Sequence, residues 1–491
     1  MRGSILRKLA GESAIYGLST ILARFINFLF VPIYTTMLST GSYGIATEFL
    51  AYIAILQVVL TLGLETGCFN FANKKENSNS VFSNALATVG SIALLFFAAV
   101  SIFSGDISSW MGYDGFGYVI IYIGSILAVD SFTSILFARL RFQNKAYKFA
   151  LFKTIKILSE TAFNFILFFG VPAYFKSHPG SLLANFISLT PDFTYIIFAI
   201  FLSGIVSLLL FIPDLTALRF KLDKKLWREM MAYSIPLMIA GLPGIINDTV
   251  DRPLFRFFTP EGLEWNSELG IFQAGVKIAV LMSLFTQMFR YAAEPYFFAR
   301  EGKERSREEY AMVMEHFTAF SMFIFLGITL FIDIISLIIG KDFRAGMDIV
   351  PVMLLSYVIL GMNFNVSMWY KLSGKTKYAI YITAAGLPIT LAVNMIFMPL
   401  FSYHAAAWGH LASYAVMFIL STVMGKRHYP VPYNWRRISI FIITGIALYL
   451  ASIPFSGGAP LVKYAVNLLL LLTFITIYIK VEKISIWRLK L

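Results

Sequence analysis

The stretch GLPGIINDTVDRPLF, residues 241–255, lies inside a long apolar run and carries three charged side chains. These are Asp248, Asp251 and Arg252. The apolar sequence before it, MMAYSIPLMIA, is typical of a membrane helix, and a charged side chain in lipid is costly unless it faces water or a partner. The rest of the chain decides whether this stretch belongs to a membrane helix.

The composition of the chain is that of a membrane protein. Its 491 residues are 58% hydrophobic and only 14% charged, whereas soluble domains carry roughly 25% charged residues. Apolar stretches of roughly 20 residues recur from end to end, each long enough to cross the ~30 Å hydrocarbon core as a helix. Because a helix satisfies its own backbone hydrogen bonds in lipid, we predict an all-α polytopic membrane protein. Runs such as NLLLLLTFITIYI do not alternate, which excludes a membrane β-barrel.

The apolar runs predict about 14 membrane spans. A weak internal repeat places Gly-Ile just after an external turn in YGIATEFLAYIAIL (43–56) and in LGIFQAGVKIAVLM (269–282). Transporters are commonly built from such repeats. The repeat fits an N-terminal lobe over 1–214, a C-terminal lobe over 215–424 and two additional helices over 425–491. The predicted spans are 13–37, 43–68, 82–104, 117–138, 150–173, 192–213, 231–252, 268–294, 311–335, 347–369, 378–400, 404–424, 437–455 and 461–479.

The distribution of Lys and Arg predicts the orientation. With the N-terminus inside, about 29 of the 40 basic residues fall in cytoplasmic segments such as 219–228, 300–309 and 425–437. Both termini are therefore expected in the cytoplasm. This bias accounts for most of the net charge of +13, so we expect no nucleic-acid binding. The first span is too long for a signal peptide.

Few residues have the pattern of metal or thiol chemistry. The single cysteine, Cys68, excludes a disulfide framework and a thiolate metal site within one chain. The five histidines have no metal-ligand spacing, and His410 is expected to be a packing residue. No metal and no other cofactor is predicted.

Five basic residues lie inside predicted spans, and each shares one helical face with other polar side chains. Such faces predict a hydrated cavity between helices one, five and eight. A structural alternative stays open for three of them, because they lie near span ends, where they can snorkel, cap or pair locally. The five are Arg24 and Lys277, both mid-span, and Lys153, Lys156 and Arg290, near the ends.

Four acids in or near the spans are candidates for coupling to Na+ or H+. Glu48, Glu65 and Asp130 stand on other faces, and a structural ion pair is the competing interpretation. Glu294 follows Arg290 by four residues and is open to the same two interpretations.

The sequence of residues 241–255 predicts a moving gate. Pro253 disfavours helix at the residue before it, so Arg252 is expected to mark the external end of span seven. A buried ion pair that fixes the packing of the span is the alternative. The expected gating residues are Asp248, Asp251 and Arg252, and the helix is expected to be broken at Pro236, Gly241, Pro243 and Gly244.

At these residues the chain resembles a family. SIPLM followed by NDTVDR in span seven is similar to a segment of Wzx-type polysaccharide-biosynthesis flippases, of the multidrug/oligosaccharidyl-lipid/polysaccharide (MOP) exporter superfamily. The resemblance continues through LGIFQAGVKIA and FRYAAEPYFF (269–298), through 371–414, and in the N-terminal hairpin, so it covers nearly the whole chain.

The resemblance implies a V-shaped transporter with two lobes around a central cavity lined by helices one, two, seven and eight. It implies a substrate of an oligosaccharide on undecaprenyl pyrophosphate, flipped from the cytoplasmic to the periplasmic leaflet by alternating access. A cationic cavity suits this anionic head group. The expected partners are this lipid-linked substrate, membrane lipid and a polysaccharide polymerase, and the expected location is a bacterial inner membrane.

Other functions stay open. A multidrug cation exporter of the same superfamily would prefer acids in its cavity, which the interior basic residues do not favour. A flippase for the peptidoglycan lipid precursor is harder to separate, because the lipid pyrophosphate head is shared. A polytopic glycosyltransferase or O-antigen polymerase would need a catalytic loop. The external loops are short and lack a carboxylate-histidine cluster, so we do not expect an enzyme.

Overall fold

The computed structural model describes residues 21–22, 25–73, 78–178, 180–181, 187–216 and 221–482. These residues form helices and connecting turns, with no strand among them. Thirteen of the described helices are long and apolar enough to cross a membrane. Of the first predicted span only a shorter apolar helix, Phe25–Met37, is described. The prediction of an all-α protein with about 14 spans is confirmed.

Contacts between Cα atoms divide the chain into two units, Met1–Gly270 and Ile271–Leu491. The first unit contains helices α1 to α12 and the start of α13. Their bounds are α1 Val31–Met37, α2 Thr40–Thr61, α3 Leu64–Ala72, α4 Ser78–Ile102, α5 Ser104–Trp110, α6 Gly117–Phe142, α7 Ala146–Phe165 with a π turn at Ile166–Gly170, α8 Val171–Ser177, α9 Phe193–Leu210, α10 Ile212–Thr216, α11 Lys224–Thr249 and α12 Asp251–Phe258.

The second unit contains most of α13 and the helices after it. A 3-10 turn, Lys341–Met347, precedes α16, and another, Ile453–Phe455, follows α19. The bounds are α13 Trp265–Arg300, α14 Ser306–Thr329, α15 Ile332–Ser336, α16 Val350–Leu372, α17 Lys377–Phe401, α18 Tyr403–His428, α19 Trp435–Ser452 and α20 Pro460–Val481. Within this unit α18 packs against α16 and α17, and α14 packs against α16 and α19.

Many large apolar side chains point outward, as expected of helices surrounded by lipid. Leu94 and Leu95 of α4 are 66% and 70% exposed, and Leu461 of α20 is 84% exposed. Such a surface is too apolar for a soluble monomer. The chain is therefore a multi-pass membrane protein.

Helix α11 packs against α2, α3 and α4 and so belongs to the first unit. The predicted lobe boundary lies earlier in the chain, at 214/215, and it stays a prediction. Residues 64–230 of this unit enclose an apolar core that includes Cys68 and Met230, which are 0% and 1% exposed.

The expectation that prolines and glycines break span seven is wrong. Helix α11 runs continuously from Lys224 to Thr249, with Pro236 and Pro243 inside it. Each proline removes one backbone hydrogen bond, and membrane helices tolerate this because neighbouring groups satisfy the freed carbonyls. Span seven ends at Thr249 rather than at Arg252. Pro253 instead lies in the first turn of α12, where its missing N–H costs little.

Candidate functional site

Helix α7 presents the polar face that its sequence predicts. The ammonium of Lys156 donates a hydrogen bond to Asp130 of α6, with 2.5 Å between Nζ and Oδ1. The ammonium of Lys153 lies 5.0 Å from the centre of the Phe137 ring and, among the described residues, has no ion pair. The local pair that the sequence left open for Lys156 is therefore not the one formed, because its ion-pair partner lies on the neighbouring helix. Among the basic residues of α7, Lys148 and Lys156 are ion-paired within the described chain and Lys153 is not, so Lys153 can contact an anion without breaking an ion pair there.

The polar face of α7 reaches helix α1 at its far end. The hydroxyl of Tyr34 donates to Oδ1 of Asn164 at 2.9 Å, and Asn164 is buried. The π turn Ile166–Gly170 begins two residues later. Single π turns inside membrane and globular helices often lie at functional sites, because they change which residues share a face.

The three predicted gating residues lie where α11 meets α12. Asp248 is exposed near the end of α11, whereas Asp251 is 1% exposed at the start of α12. Arg252 is half-buried, and its Nε has no hydrogen-bond partner in the described part of the chain. The junction therefore combines a buried acid with an incompletely bonded guanidinium, and a gating role for these residues stays a prediction.

One functional candidate was missed in the sequence. Arg256 forms a two-point ion pair with Glu48 of α2, with Nε–Oε1 and Nη2–Oε2 distances of 3.0 Å and 2.8 Å. The central carbon of its planar guanidinium also lies 4.2 Å from the ring centre of Trp265 and 4.8 Å from that of Tyr113. The Arg256 Nη1 donates to the carbonyl of Met111 at 2.6 Å. No sequence pattern predicts this pair, because Glu48 and Arg256 are 208 residues apart and lie on different helices.

The environment of Glu48 explains why this acid tolerates complete burial. It is 0% exposed, and it accepts hydrogen bonds from the hydroxyls of Tyr52 and Tyr113 as well as from Arg256. Burial and the Glu48 carboxylate raise the pKa of Tyr113, so this phenol remains a hydrogen-bond donor. Glu48 thus fixes α12 and the turn at 111–116 to α2.

The other proposed coupling acids are also ion-paired. Glu65 lies 3.5 Å from Arg141, and Asp130 pairs with Lys156 as described above. In the second unit, Glu294 lies 2.7 Å from Lys371. These contacts match the structural interpretation that the sequence left open, and a coupling role stays a prediction.

The second unit brings two cations to one carboxylate. Glu294 accepts from Lys371 at 2.7 Å and lies 3.7 Å from Arg290, its neighbour one turn earlier on α13. Both cations also lie over the ring of Phe364, Arg290 at 5.4 Å and Lys371 at 5.1 Å. The cluster has one positive charge in excess and can attract an anion. Lys371 was not predicted as a site residue.

Of the two cations that were predicted at mid-span, the structure describes Lys277 only. Arg24 lies outside the described residues. Lys277 is half-buried on α13 and already has an interaction partner. His410, expected to be a packing residue, is 5% exposed, and its ring is tilted by 47° against that of Tyr414 with 5.7 Å between ring centres.

Together, these helices and the charged clusters within them describe a multi-pass membrane protein, and membrane transporters of known structure share its fold. The lipid II flippase MurJ, in an inward closed conformation, matches with a TM-score of 0.69 at 12% identity, over 96% of this chain and 98% of that chain. An inward-facing multidrug resistance MATE family transporter of the MOP superfamily matches with a TM-score of 0.59 at 15% identity, over 89% and 95%. A eukaryotic MATE transporter matches with a TM-score of 0.51 at 13% identity, over 90% and 98%.

The sequence itself gives the family. The profile of the family described as polysaccharide biosynthesis protein matches residues 9–301, more than half of the chain. This protein belongs to that family. No curated protein matches it in sequence. The resemblance to MOP-superfamily polysaccharide flippases is confirmed.

Proposed function

We propose that this protein is a flippase that moves an oligosaccharide linked to undecaprenyl pyrophosphate from the cytoplasmic to the periplasmic leaflet, for assembly of a surface polysaccharide. The observation that carries the proposal is membership of the polysaccharide biosynthesis family over residues 9–301. The transporter fold supports translocation rather than an enzymatic reaction. A bacterial inner membrane and cytoplasmic termini are part of this proposal.

The charges inside the spans support an anionic substrate. Lys153 has no ion pair among the described residues, and Arg290 and Lys371 share a single carboxylate. An Arg binds a pyrophosphate through two parallel hydrogen bonds, and a Lys binds it as a point charge. Without cations to pair with its charge, the head group could not cross the hydrocarbon core, because the free-energy cost would be too high. We propose that these residues, with Arg24, Lys156 and Lys277, contact the head group during alternating access.

Asp248, Asp251 and Arg252 act in gating in this proposal. Two acids disfavour an anion at the junction of α11 and α12, so the head group does not bind there. Arg252→Ala is expected to impair transport or folding and to leave substrate binding nearly unchanged. Loss of binding by a folded Arg252→Ala protein would count against a gating role.

Complementation of a strain that lacks its polysaccharide flippase tests the function, with membrane levels checked by blot. Arg24→Gln and Lys277→Gln should nearly abolish export, because one charge-assisted hydrogen bond contributes roughly 1.5–3 kcal/mol and 1.4 kcal/mol is a factor of ten. Arg24→Lys should retain part of the activity. Export at wild-type rates by both Gln variants would reject the cationic head-group site.

Two parallel strains distinguish the alternatives. Rescue of a strain depleted of its peptidoglycan lipid-precursor flippase, without polysaccharide export, would replace the proposed substrate with that precursor. Resistance to cationic drugs without either rescue would indicate a multidrug exporter. Coupling to Na+ or H+ and association with a polymerase stay predictions.

A further inference from the structure

A cavity of about 380 Å³ lies in the second unit, where the end of α18 approaches the start of α19. Four aromatic residues line it: Trp369, Tyr429, Tyr433 and Trp435. The prolines of the connecting segment YPVPY also line it, and Lys426 is its charged residue. Its volume is within the range of small-molecule sites, roughly 300–1,000 Å³. None of the interactions described above uses this cavity.

The wall of the cavity contains a buried hydrogen-bond donor that lacks an acceptor. Trp369 is 2% exposed, and its indole Nε1 has no hydrogen-bond partner in the part of the chain that the structure describes. The indole cannot readily turn away, because it stacks on His428 at 5.3 Å with 12° between the rings. Gly425 lies against the indole, and a Cβ there would be 2.8 Å from Cδ1 of the ring. A buried Trp N–H usually has a partner, so a ligand oxygen is the natural acceptor.

The charge around the cavity is positive. Lys426, Arg427 and Arg436 are exposed, and none of them has an ion pair within the described residues. By contrast, Arg437 is neutralised by Glu315 at 3.0 Å and Glu482 at 3.4 Å.

No carboxylate lines the cavity, and its phenols carry no charge at neutral pH. Burial and the hydrogen bond to Glu301 raise the pKa of Tyr429 to about 12, and burial also raises the pKa of Tyr433. The Tyr429 hydroxyl already donates to Glu301 at 2.6 Å, so the cavity offers the Trp369 N–H and the Lys426 ammonium to a ligand.

We propose that this cavity binds an anionic glycerophospholipid of the surrounding leaflet, such as phosphatidylglycerol. The lipid phosphate contacts Lys426, an ester oxygen accepts from the Trp369 N–H, and the glycerol and first chain carbons lie among the aromatic rings. Basic pockets between membrane helices are a known way to hold lipid head groups. A sugar fits less well, because the walls are mainly carbon and offer few of the hydrogen bonds that its hydroxyl groups need.

The binding of short-chain lipids to the full-length protein in detergent tests the proposal. Dioctanoyl-phosphatidylglycerol should bind at least about five-fold more tightly than dioctanoyl-phosphatidylcholine, because one nearby cation contributes roughly that factor. Lys426→Gln should lose this preference, and the matched variant Lys375→Gln, exposed on the neighbouring loop and outside the cavity, should keep it. Equal binding of the two lipids, or equal loss in both variants, would overturn the proposal.

Two further measurements separate the cavity from surface charge and from the substrate. Trp369→Phe keeps the ring stacking but removes the N–H. It should weaken the binding of both lipids by a similar factor. If the variant binds both lipids as tightly as the wild-type protein does, no lipid oxygen contacts the indole and the proposed lipid site is wrong. Displacement of phosphatidylglycerol by undecaprenyl phosphate at lower concentration would assign the cavity to the transport substrate instead. None of these results alters the complementation test of the flippase.

Discussion

Gly44 and Gly270 lie against each other where α2 meets the start of α13. A Cβ on Gly44 would lie 1.9 Å from the carbonyl oxygen of Asn266, and one on Gly270 would lie 2.0 Å from that of Thr40. The Thr40 and Ser267 hydroxyls are hydrogen-bonded beside them at 2.5 Å. Small residues allow membrane helices to approach this closely. The two glycines are the ones shared by the weak internal repeat.

Alanine at either glycine should therefore force the two helices apart. We expect Gly44→Ala and Gly270→Ala each to destabilise the protein by about 1–3 kcal/mol or more, because the clash is with backbone that cannot turn away. The measurement is the melting temperature in detergent, followed by size-exclusion chromatography. Gly241→Ala is the control, since a Cβ there meets nothing within 4 Å. Equal melting temperatures for all three variants would show that the contact is not tight.

Breaking the Glu48–Arg256 pair should also destabilise the protein. Arg256→Gln leaves a fully buried carboxylate without its cation, which typically costs about 3–5 kcal/mol. The double variant Glu48→Gln/Arg256→Gln should recover much of this loss, because no unpaired charge remains. Arg228→Gln, at an exposed position near the start of α11, serves as the control.

The same variants test the coupling role of Glu48. If Glu48 is structural, the double variant should export polysaccharide at a rate that follows its membrane level. A well-folded double variant without export would instead favour coupling through this acid.

Substitutions of Lys153 and Lys156 should have different effects on substrate export and on the stability of the protein. Lys156→Gln removes the partner of Asp130, and we expect a loss of about 1–3 kcal/mol in stability, because a half-buried acid loses its bond. Lys153→Gln breaks no ion pair in the described residues, so it should lower export with little change in melting temperature. The two variants are matched in chemistry and helix. The reverse pattern would make Lys153 the structural residue.

Arg290 and Lys371 should substitute for each other in part. Each lies near Glu294 and over Phe364, so either cation can hold an anion when the other is lost. We expect Arg290→Gln and Lys371→Gln to reduce export moderately, and the double variant to reduce it by more than the product of the single effects. Complementation at matched membrane levels measures this. Independent effects would argue against a shared site.

Cysteine labelling should confirm the orientation. After Cys68, which is buried, is replaced by Ala, single cysteines at Lys225, Lys303 and Arg436 should resist an impermeant thiol reagent in intact cells. Clustered basic residues remain in the cytoplasm. Asp114→Cys, exposed in a predicted external loop, should label from outside. Labelling of all three basic segments from outside would reverse the topology.

The sequence predicted the spans well and the partners of their charges poorly. Predicted 117–138 is found as Gly117–Phe142, and predicted 378–400 as Lys377–Phe401, because hydropathy is a property of consecutive residues. The expectation that Pro236 and Pro243 break α11 was wrong, because membrane helices tolerate proline when neighbouring groups satisfy the backbone hydrogen bonds.

The amino-acid sequence by itself determined the class of this protein, its helical architecture and its family. Only the tertiary structure decided which charges pair, because the partners come from different helices. Lys156 pairs with Asp130 at a separation of 26 residues, and Arg256 pairs with Glu48 at a separation of 208. Helical periodicity places a side chain on a face of its own helix, but packing alone decides which helix that face meets.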